Sequence, residues 1–407
     1  MKKVLFTLLA VLMAVPAFAI NVYNQDDTKV DIYGSIRGFL GYGHGMSNQD
    51  IAGVTVDNTS DKFLYGLQGN SRLGFKFAAS GFSGQVEFGL NEKTLRNSAD
   101  KTPGIRHIWG AYSFGEAGQI LIGKTDTPTA MSGFSSDIFF TDGGLDGFGG
   151  NTTGSRRFQV QYNIAGLSLA LIEDDTDSSA GLGSQNISYI PRIALAYTFK
   201  SPSLLAKIGG SYTAVNGDIT LENKNKPEWK TIHAFNVVGG VKAGLLDNNL
   251  WIALQLGYDM NGDLFGERKT VYTDGSNSAK PLVGFLGSVP SSAVINTQNG
   301  DIYNVSRVNV AAEIGYKVIE NMSLILGGGY QYTLYDQLNT TISGVNMSTD
   351  IHSYGVYFQA PYTVNKYLMF IPQVGYYATA GYATVSQVDS NATKSSVLLG
   401  MQMRVNF

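Results

Sequence analysis

The sequence predicts an all-β protein, a transmembrane antiparallel β-barrel of about sixteen strands, with short turns on one side and long loops on the other. Three observations carry this. The last residues alternate strictly: Phe407, Val405, Met403, Met401, Leu399 and Val397 share one face, while Asn406, Arg404, Gln402, Gly400 and Ser396 share the other, with Leu398 the exception. A polar face for water and an apolar face for lipid on a strand long enough to cross a bilayer is the barrel pattern. Similar segments recur along the chain. The connections between them alternate between short and long.

At the N-terminus Lys2 and Lys3 precede an apolar run broken at Pro16, and Ala17-Phe18-Ala19 supplies small residues at a cleavage site. This reads as an export signal over 1–19, with the barrel domain over 20–407. The run is too short for a spanning helix, which needs about 20 residues.

The alternation then repeats in order. Val30, Ile32, Ile36 and Leu40 oppose Asp31, Ser35 and Arg37; Leu73, Phe75 and Phe77 oppose Arg72 and Lys76. Ile193, Leu195, Tyr197 and Phe199 oppose Ala194, Ala196 and Thr198. Ile252, Leu254 and Leu256 oppose Ala253, Gln255 and Asp259, and Val308, Val310 and Ile314 oppose Arg307, Asn309 and Glu313. Leu324, Leu326 and Tyr330 oppose Ser323, Gly327 and Gln331. Short turns are expected at 116–118, 201–203, 245–249 and 319–321. Long polar loops are expected at 46–62, 126–153, 261–301 and 335–350.

Composition agrees. The 407 residues include 49 glycines, 23 tyrosines and 21 phenylalanines, but only 15% are charged. There is no cysteine, hence no disulfide, thiol nucleophile or zinc-thiolate site. Losing Lys2 and Lys3 leaves 27 of the 29 basic side chains against 32 acidic ones, a formal −5. That balance argues against a nucleic-acid partner. His44, His107, His233 and His352 lie in separate segments without catalytic or metal-binding spacing, so neither a cofactor nor an enzyme centre is expected. Gly118 to Thr125 matches the phosphate-loop expression letter for letter. Its interior reads as strand and Thr125-Asp126-Thr127-Pro128 as a turn, so the helix that such a loop needs is missing.

The stretch 126–153 is about 28 residues, beyond the usual limit of about 12–15 for structureless loops. Phe134, Phe139, Phe140, Leu145 and Phe148 make it too apolar for disorder, so it should pack against something.

Several motifs resemble the general trimeric porins of Gram-negative outer membranes. Lys29-Val30-Asp31-Ile32-Tyr33-Gly34 resembles their first strand, Ser71-Arg72-Leu73-Gly74-Phe75-Lys76 their second, and Arg106-His107-Ile108-Trp109-Gly110-Ala111-Tyr112 their fourth. Gly123-Lys124-Thr125-Asp126-Thr127-Pro128 is similar to the Gly-Arg-Gln-Asp-Thr-Pro entry to their third loop, and Ser155-Arg156-Arg157 with Val160-Gln161-Tyr162 to the strand after it. Two features depart: the third loop lacks Pro-Glu-Phe-Gly, and Gly400 sits two places early.

The resemblance implies an outer-membrane channel for ions and small hydrophilic solutes, working as a homotrimer among membrane lipids and lipopolysaccharide. It implies a third loop narrowing the channel with Asp126, Asp137, Asp142 and Asp146, faced by wall residues Arg37, Arg72, Lys76, Arg106 and Arg157. Arg72, Arg157, Arg37 and Lys76 point inward by parity; Arg106 follows by motif alone. Phe407 would be the signal read by the outer-membrane assembly machinery. Alternatives are a substrate-specific channel for sugar or phosphate, and a barrel enzyme.

Overall fold

The computed structural model describes residues 20–25, 27–51, 54–68, 70–90, 104–137, 145–150, 154, 156–173, 191–219, 228–265, 272–273, 293–295, 300–335, 349–385 and 388–407. The expected export signal at 1–19 and Asp142 lie outside them.

The strands are β1 (Ile20–Gln25), β2 (Thr28–Ile51), β3 (Val54–Leu67), β4 (Arg72–Ala79), β5 (Phe82–Gly89), β6 (Gly104–Ser113), β7 (Gln119–Asp126) and β8 (Arg156–Ile164). They continue as β9 (Leu167–Ile172), β10 (Arg192–Lys200), β11 (Leu204–Ile219), β12 (Glu228–Leu245) and β13 (Leu250–Met260). Next come β14 (Tyr272–Thr273), β15 (Val294–Ile295) and β16 (Ile302–Tyr303), a small separate sheet. The last are β17 (Val305–Ile319), β18 (Met322–Tyr335), β19 (Thr349–Gln359), β20 (Tyr362–Thr363), β21 (Leu368–Val385) and β22 (Val388–Asn406).

Register turns these segments into sixteen staves. β3 and β4 both lie along β2, at Gly38↔Leu67 and Ser35↔Arg72, so they form one interrupted stave. β19 and β20 likewise share β21 as a neighbour. β22 pairs with β2 from Ile51↔Ser390 down to Ser35↔Asn406 and closes the barrel. β1 pairs with β2 lower down, starting at Ile20↔Ile32, and so extends the row that β22 leaves at Phe407. All barrel pairings are antiparallel, and closure leaves no sheet edge for lipid to meet.

Hairpin chemistry sets the short ends. Ser80 and Gly81, at φ 42° and 89°, and Ala165 and Gly166, at 49° and 87°, supply the two successive positive-φ residues of a type I′ turn. The phosphate-loop look-alike is strand throughout β7 and is followed by a turn in which Ala130 N–H donates to Thr127 O. One expectation fails. Residues 46–62 are not an irregular loop; β2 and β3 stay paired up to Ile51↔Val54, a tall hairpin. The polar residues there alternate as well as the apolar ones do, and polarity alone cannot separate a solvated hairpin from a coil.

Burial is inverted relative to a soluble sandwich. Leu195, Ile208, Val237, Leu256, Leu326 and Leu399 are exposed on the outside. Gln159, Asn236, Gln255, Arg307, Asn309, Gln331 and Gln402 are buried inside. Hydrogen-bond demand on the lumen side and apolar transfer on the lipid side fix which face goes where.

Candidate functional site: the inward loop and the arginine wall

The described residues after β7 lie inside the barrel. Met131 and Phe134 pack with Val238 and Leu205 on the inner face of β11 and β12. Farther along, Leu145 and Phe148 are 1% and 3% exposed and join Ala311, Ile325, Tyr357, Tyr377 and Leu398 in one cluster on the inner face of β17–β22. Full burial of such side chains contributes about 1.5–3 kcal/mol each. Leu398, the exception in the terminal alternation, is therefore inward and part of the loop's seat. Glycines make room for it. A Cβ on Gly329 would lie 2.4 Å from Phe148 O, and one on Gly240 would lie 2.5 Å from Met131 Cε.

Polar anchors fix the loop between these two seats. Ser136 N–H donates to Glu313 Oε2 at 2.7 Å. Glu313 also accepts from the Tyr357 hydroxyl at 2.6 Å and from Trp251 Nε1 at 3.1 Å. Asp137 Oδ2 lies 2.7 Å from Arg37 Nη1 and 2.7 Å from Arg404 Nη2. Arg37 and Arg404 are direct neighbours across β2 and β22, so one loop carboxylate bridges two wall arginines. Arg37 Nε donates to Ser35 Oγ at 3.0 Å, which holds its guanidinium toward the loop.

A second group sits on the wall of β4–β6. Glu87 Oε1 accepts Arg106 Nε at 2.7 Å, and Glu87 Oε2 is 3.7 Å from Arg72 Nε. The Tyr33 hydroxyl donates to Glu87 Oε2 at 2.8 Å, and Lys76 Nζ stands 5.1 Å from the centre of the Tyr33 ring. Again two guanidiniums share one carboxylate. Register explains Arg106: Glu87 faces His107, whereas Phe88 faces Ile105, so Arg106 is the extra residue of a β-bulge. Arg106 and His107 thus both turn inward. The Arg72 side chain is 29% accessible although it lies inside the barrel, as a wetted lumen requires.

The outer half of the lumen holds a second inward segment. Leu264 and Phe265 are buried with Val215, Ile232, Ala234, Ala293 and Ile295. The Asn261 side chain accepts Val305 N–H at 2.9 Å and donates to Asn304 Oδ1 and His233 O, each at 2.8 Å. Below it Arg192 donates to Phe265 O at 3.1 Å and lies 4.4 Å from the Phe265 ring centre. Arg307 and Asp259 form a buried pair at 2.8 Å.

The chain is similar to outer membrane porin C of Salmonella typhimurium, 25% identical over 400 residues, covering 86% of this chain and 97% of that protein. No protein-family model matches it. Among solved structures it resembles the outer membrane channel DcaP of Acinetobacter baumannii, with TM-score 0.60 and 15% identity, covering 95% of this chain and 100% of that one. It also resembles an anion-selective porin from Comamonas acidovorans, with TM-score 0.52 and 12% identity, covering 93% and 100%. The fold is that of the outer-membrane porin barrels.

Within this porin-type barrel the residues singled out from sequence fall as follows. Arg37, Arg72, Lys76, Arg106 and Arg157 all lie on the lumen side. Arg157 shares its face with Gln159, which is buried, while Phe158 and Val160 are exposed outside. Asp137 is in the lumen, but it touches Arg37 rather than facing it across a gap, as the sequence reading had expected. Asp146 lies in the inward turn, bridged through its backbone to Gly150. Asp126 is exposed at the end of β7, where its carbonyl accepts Gln159 Nε2 at 3.0 Å. Arg404, Glu87, Glu313, His107 and Arg192 were not foreseen. Parity signals Arg404, since Gln402 shares its polar face. Parity signals Glu313 too, beside Arg307 and Asn309, but no local pattern signals the partners of Glu313 and Glu87, which lie on other strands and on the loop.

Proposed function

We propose that this protein is a trimeric, water-filled channel of the outer membrane, carrying ions and small hydrophilic solutes by passive diffusion. The observation that supports this best is the loop after β7, fastened across the lumen at Asp137 and at Leu145–Phe148, while Arg72 on the wall of β4–β6 stays accessible. Such a loop narrows a pore without sealing it. Radius then limits size, and the charges on either side bias which solutes pass.

In this reading Arg37 and Arg404 hold the loop, while Arg72, Lys76, Arg106 and Arg157 line the passage. Asp142 and Asp146 belong to the loop's side of the constriction, and Asp126 to its root. Transport of this kind requires no covalent chemistry, so the protein is read as a channel rather than an enzyme. His44 with Asp61, His233 with Tyr212 and His352 with Tyr330 are each outward pairs on separate hairpins, which fits a structural role. Exposed Phe75, Phe77, Phe82, Ile105, Ile108 and Tyr112 on β4–β6 form an outer aromatic and aliphatic face suited to a neighbouring barrel. Lipid and lipopolysaccharide would cover the rest, after the assembly machinery has read Phe407.

Single-channel recording tests the reading. Purified protein should add conductance to a planar bilayer in groups of three steps. A protein that inserts yet passes no current contradicts it.

A further inference from the structure

The long connection between β13 and β17 also enters the barrel, on the side of the long loops. Its neck is pinned. Asn261, at φ 54°, turns the chain as β13 ends. Its backbone N–H donates to Val305 O at 2.8 Å, and its side chain accepts Val305 N–H at 2.9 Å. The connection therefore leaves β13 and rejoins β17 at one point. On the outgoing limb Gly262 lies against the Arg307–Asp259 pair, where a Cβ would be 1.9 Å from Asp259 Oδ1. Leu264 and Phe265 follow, fully buried, and Phe265 O accepts Arg192 Nη1 from β10. On the returning limb Ala293 and Ile295 are buried in the same cluster, and Ile295 pairs with Ile302 on the way back to β17.

The wall beneath is apolar where these limbs rest. Val215 and Ile232 pair directly across β11 and β12, and Ala234 follows Ile232 on the same face. They face the lumen, because His233 between them is exposed outside. Bare apolar side chains on a wetted face lose about 1.5–3 kcal/mol each relative to burial. Leu398 gives the same sign under the loop after β7: an apolar residue on the water side marks a seat. That first loop rests on the same strand β12 lower down, at Val238 and Gly240. From Ala234 to Val238 a strand advances roughly 13 Å, at about 3.3 Å per residue. The two inserts are thus stacked along the pore, with the hydrogen-bonded Ser211 and Asn236 between their seats.

We infer that the β13–β17 connection is a second, outer narrowing of the pore. It is a coarse stage that turns away bulky or branched hydrophilic solutes before they reach the loop after β7, which sets the finer limit. The inference rests on the channel reading above. The seat of the outer insert lies on one side of the lumen, on β10–β13 and β17, whereas the loop after β7 is fastened on both sides. The outer insert therefore leaves the wider gap. Resistances in series add, and radius decides which solutes enter each stage.

The test compares the intact protein with variants in which 264–295, 131–150 or both are replaced by short glycine–serine links. Single-channel conductance is read in planar bilayers with neutral polyethylene glycols of graded size on either side, and the permeation limit in liposomes. Replacing 264–295 alone should leave the permeation limit unchanged but let larger polymers into the mouth from one side, seen as a fall in conductance when they are added there. Replacing both segments should raise conductance and permeation limit above those of the variant lacking only 131–150. Equal values for those two variants, or an unmoved polymer cut-off at the mouth, overturn the inference while leaving the channel intact. Absence of current in the intact protein overturns the channel reading itself, and this inference with it. Ala293→Cys, in a chain that has no cysteine, tests the seat at full length. Its thiol should resist a membrane-impermeant maleimide in the folded channel and react after unfolding. Rapid reaction in the folded channel would take the returning limb off the wall and overturn the inference.

Discussion

Arg37 and Arg404 face each other directly across the seam where the last strand meets the first, and Asp137 Oδ2 lies 2.7 Å from both. Two like charges 4 Å apart repel by about 4 kcal/mol at an effective dielectric of about 20, so neighbouring guanidiniums oppose each other. The loop carboxylate offsets that repulsion, so loop placement and barrel closure are coupled.

Replacing Asp137 with Asn removes the charge and keeps the shape. Thermal stability should fall by about 1–3 kcal/mol, and the channel should become noisier as the loop detaches. Heat-resistance of the assembled protein on gels, read beside single-channel noise, checks both. Unchanged stability and a quiet trace would mean that the bridge contributes nothing.

The apolar seat gives an independent handle. Leu145→Ala and Phe148→Ala should each cost about 2–5 kcal/mol of local stability. Gly329→Val should act without altering any loop residue, because its added carbons would meet Phe148 O. All three variants should assemble into the outer membrane and show raised conductance. Normal conductance in Gly329→Val would place the loop elsewhere.

The terminus makes a third case. Phe407 O accepts Gly34 N–H at 2.7 Å, Phe407 N–H donates to Gly34 O at 3.1 Å, and the ring lies over Gly34, where an added Cβ would be 2.4 Å from Cζ. Deleting Phe407 should reduce outer-membrane levels sharply, and Gly34→Val should do so in part. Cell fractionation followed by blotting measures this. Equal membrane levels of the truncated and full-length chains would separate the terminus from assembly.

The buried Arg307–Asp259 pair sits beneath the second inward segment. Arg307→Leu leaves a buried carboxylate uncompensated and should cost about 3–5 kcal/mol. Adding Asp259→Leu should recover most of the loss. Thermal unfolding in detergent, compared between single and double variants, reads the coupling.

The barrel itself was legible because the period-two pattern and the lumen–lipid division act on every strand alike. Arg72 and Arg157 followed from that parity. Arg106 did not, since a bulge breaks parity at just that residue. Leu398 looked like a lapse in the terminal strand until Leu145 and Phe148 supplied its partners. Asp137 meets Arg37, a wall arginine expected to face the loop, but in direct contact, and it also meets Arg404; these contacts join residues 100 and 267 positions apart, which no local pattern signals. The polar composition of 46–62 predicts a long loop where β2 and β3 stay paired, because solvated strands and loops share a composition.

The loop after β7 sets the width of the pore. Replacing residues 131–150 with a short glycine–serine link removes both apolar seats and the Asp137 bridge while leaving β7 and β8 in place. Single-channel conductance of that variant, measured beside the intact protein in the same bilayer and salt, is the most direct test. A clear rise in conductance, with larger neutral solutes admitted, is the predicted result. Conductance and size limit equal to those of the intact protein would contradict the central claim.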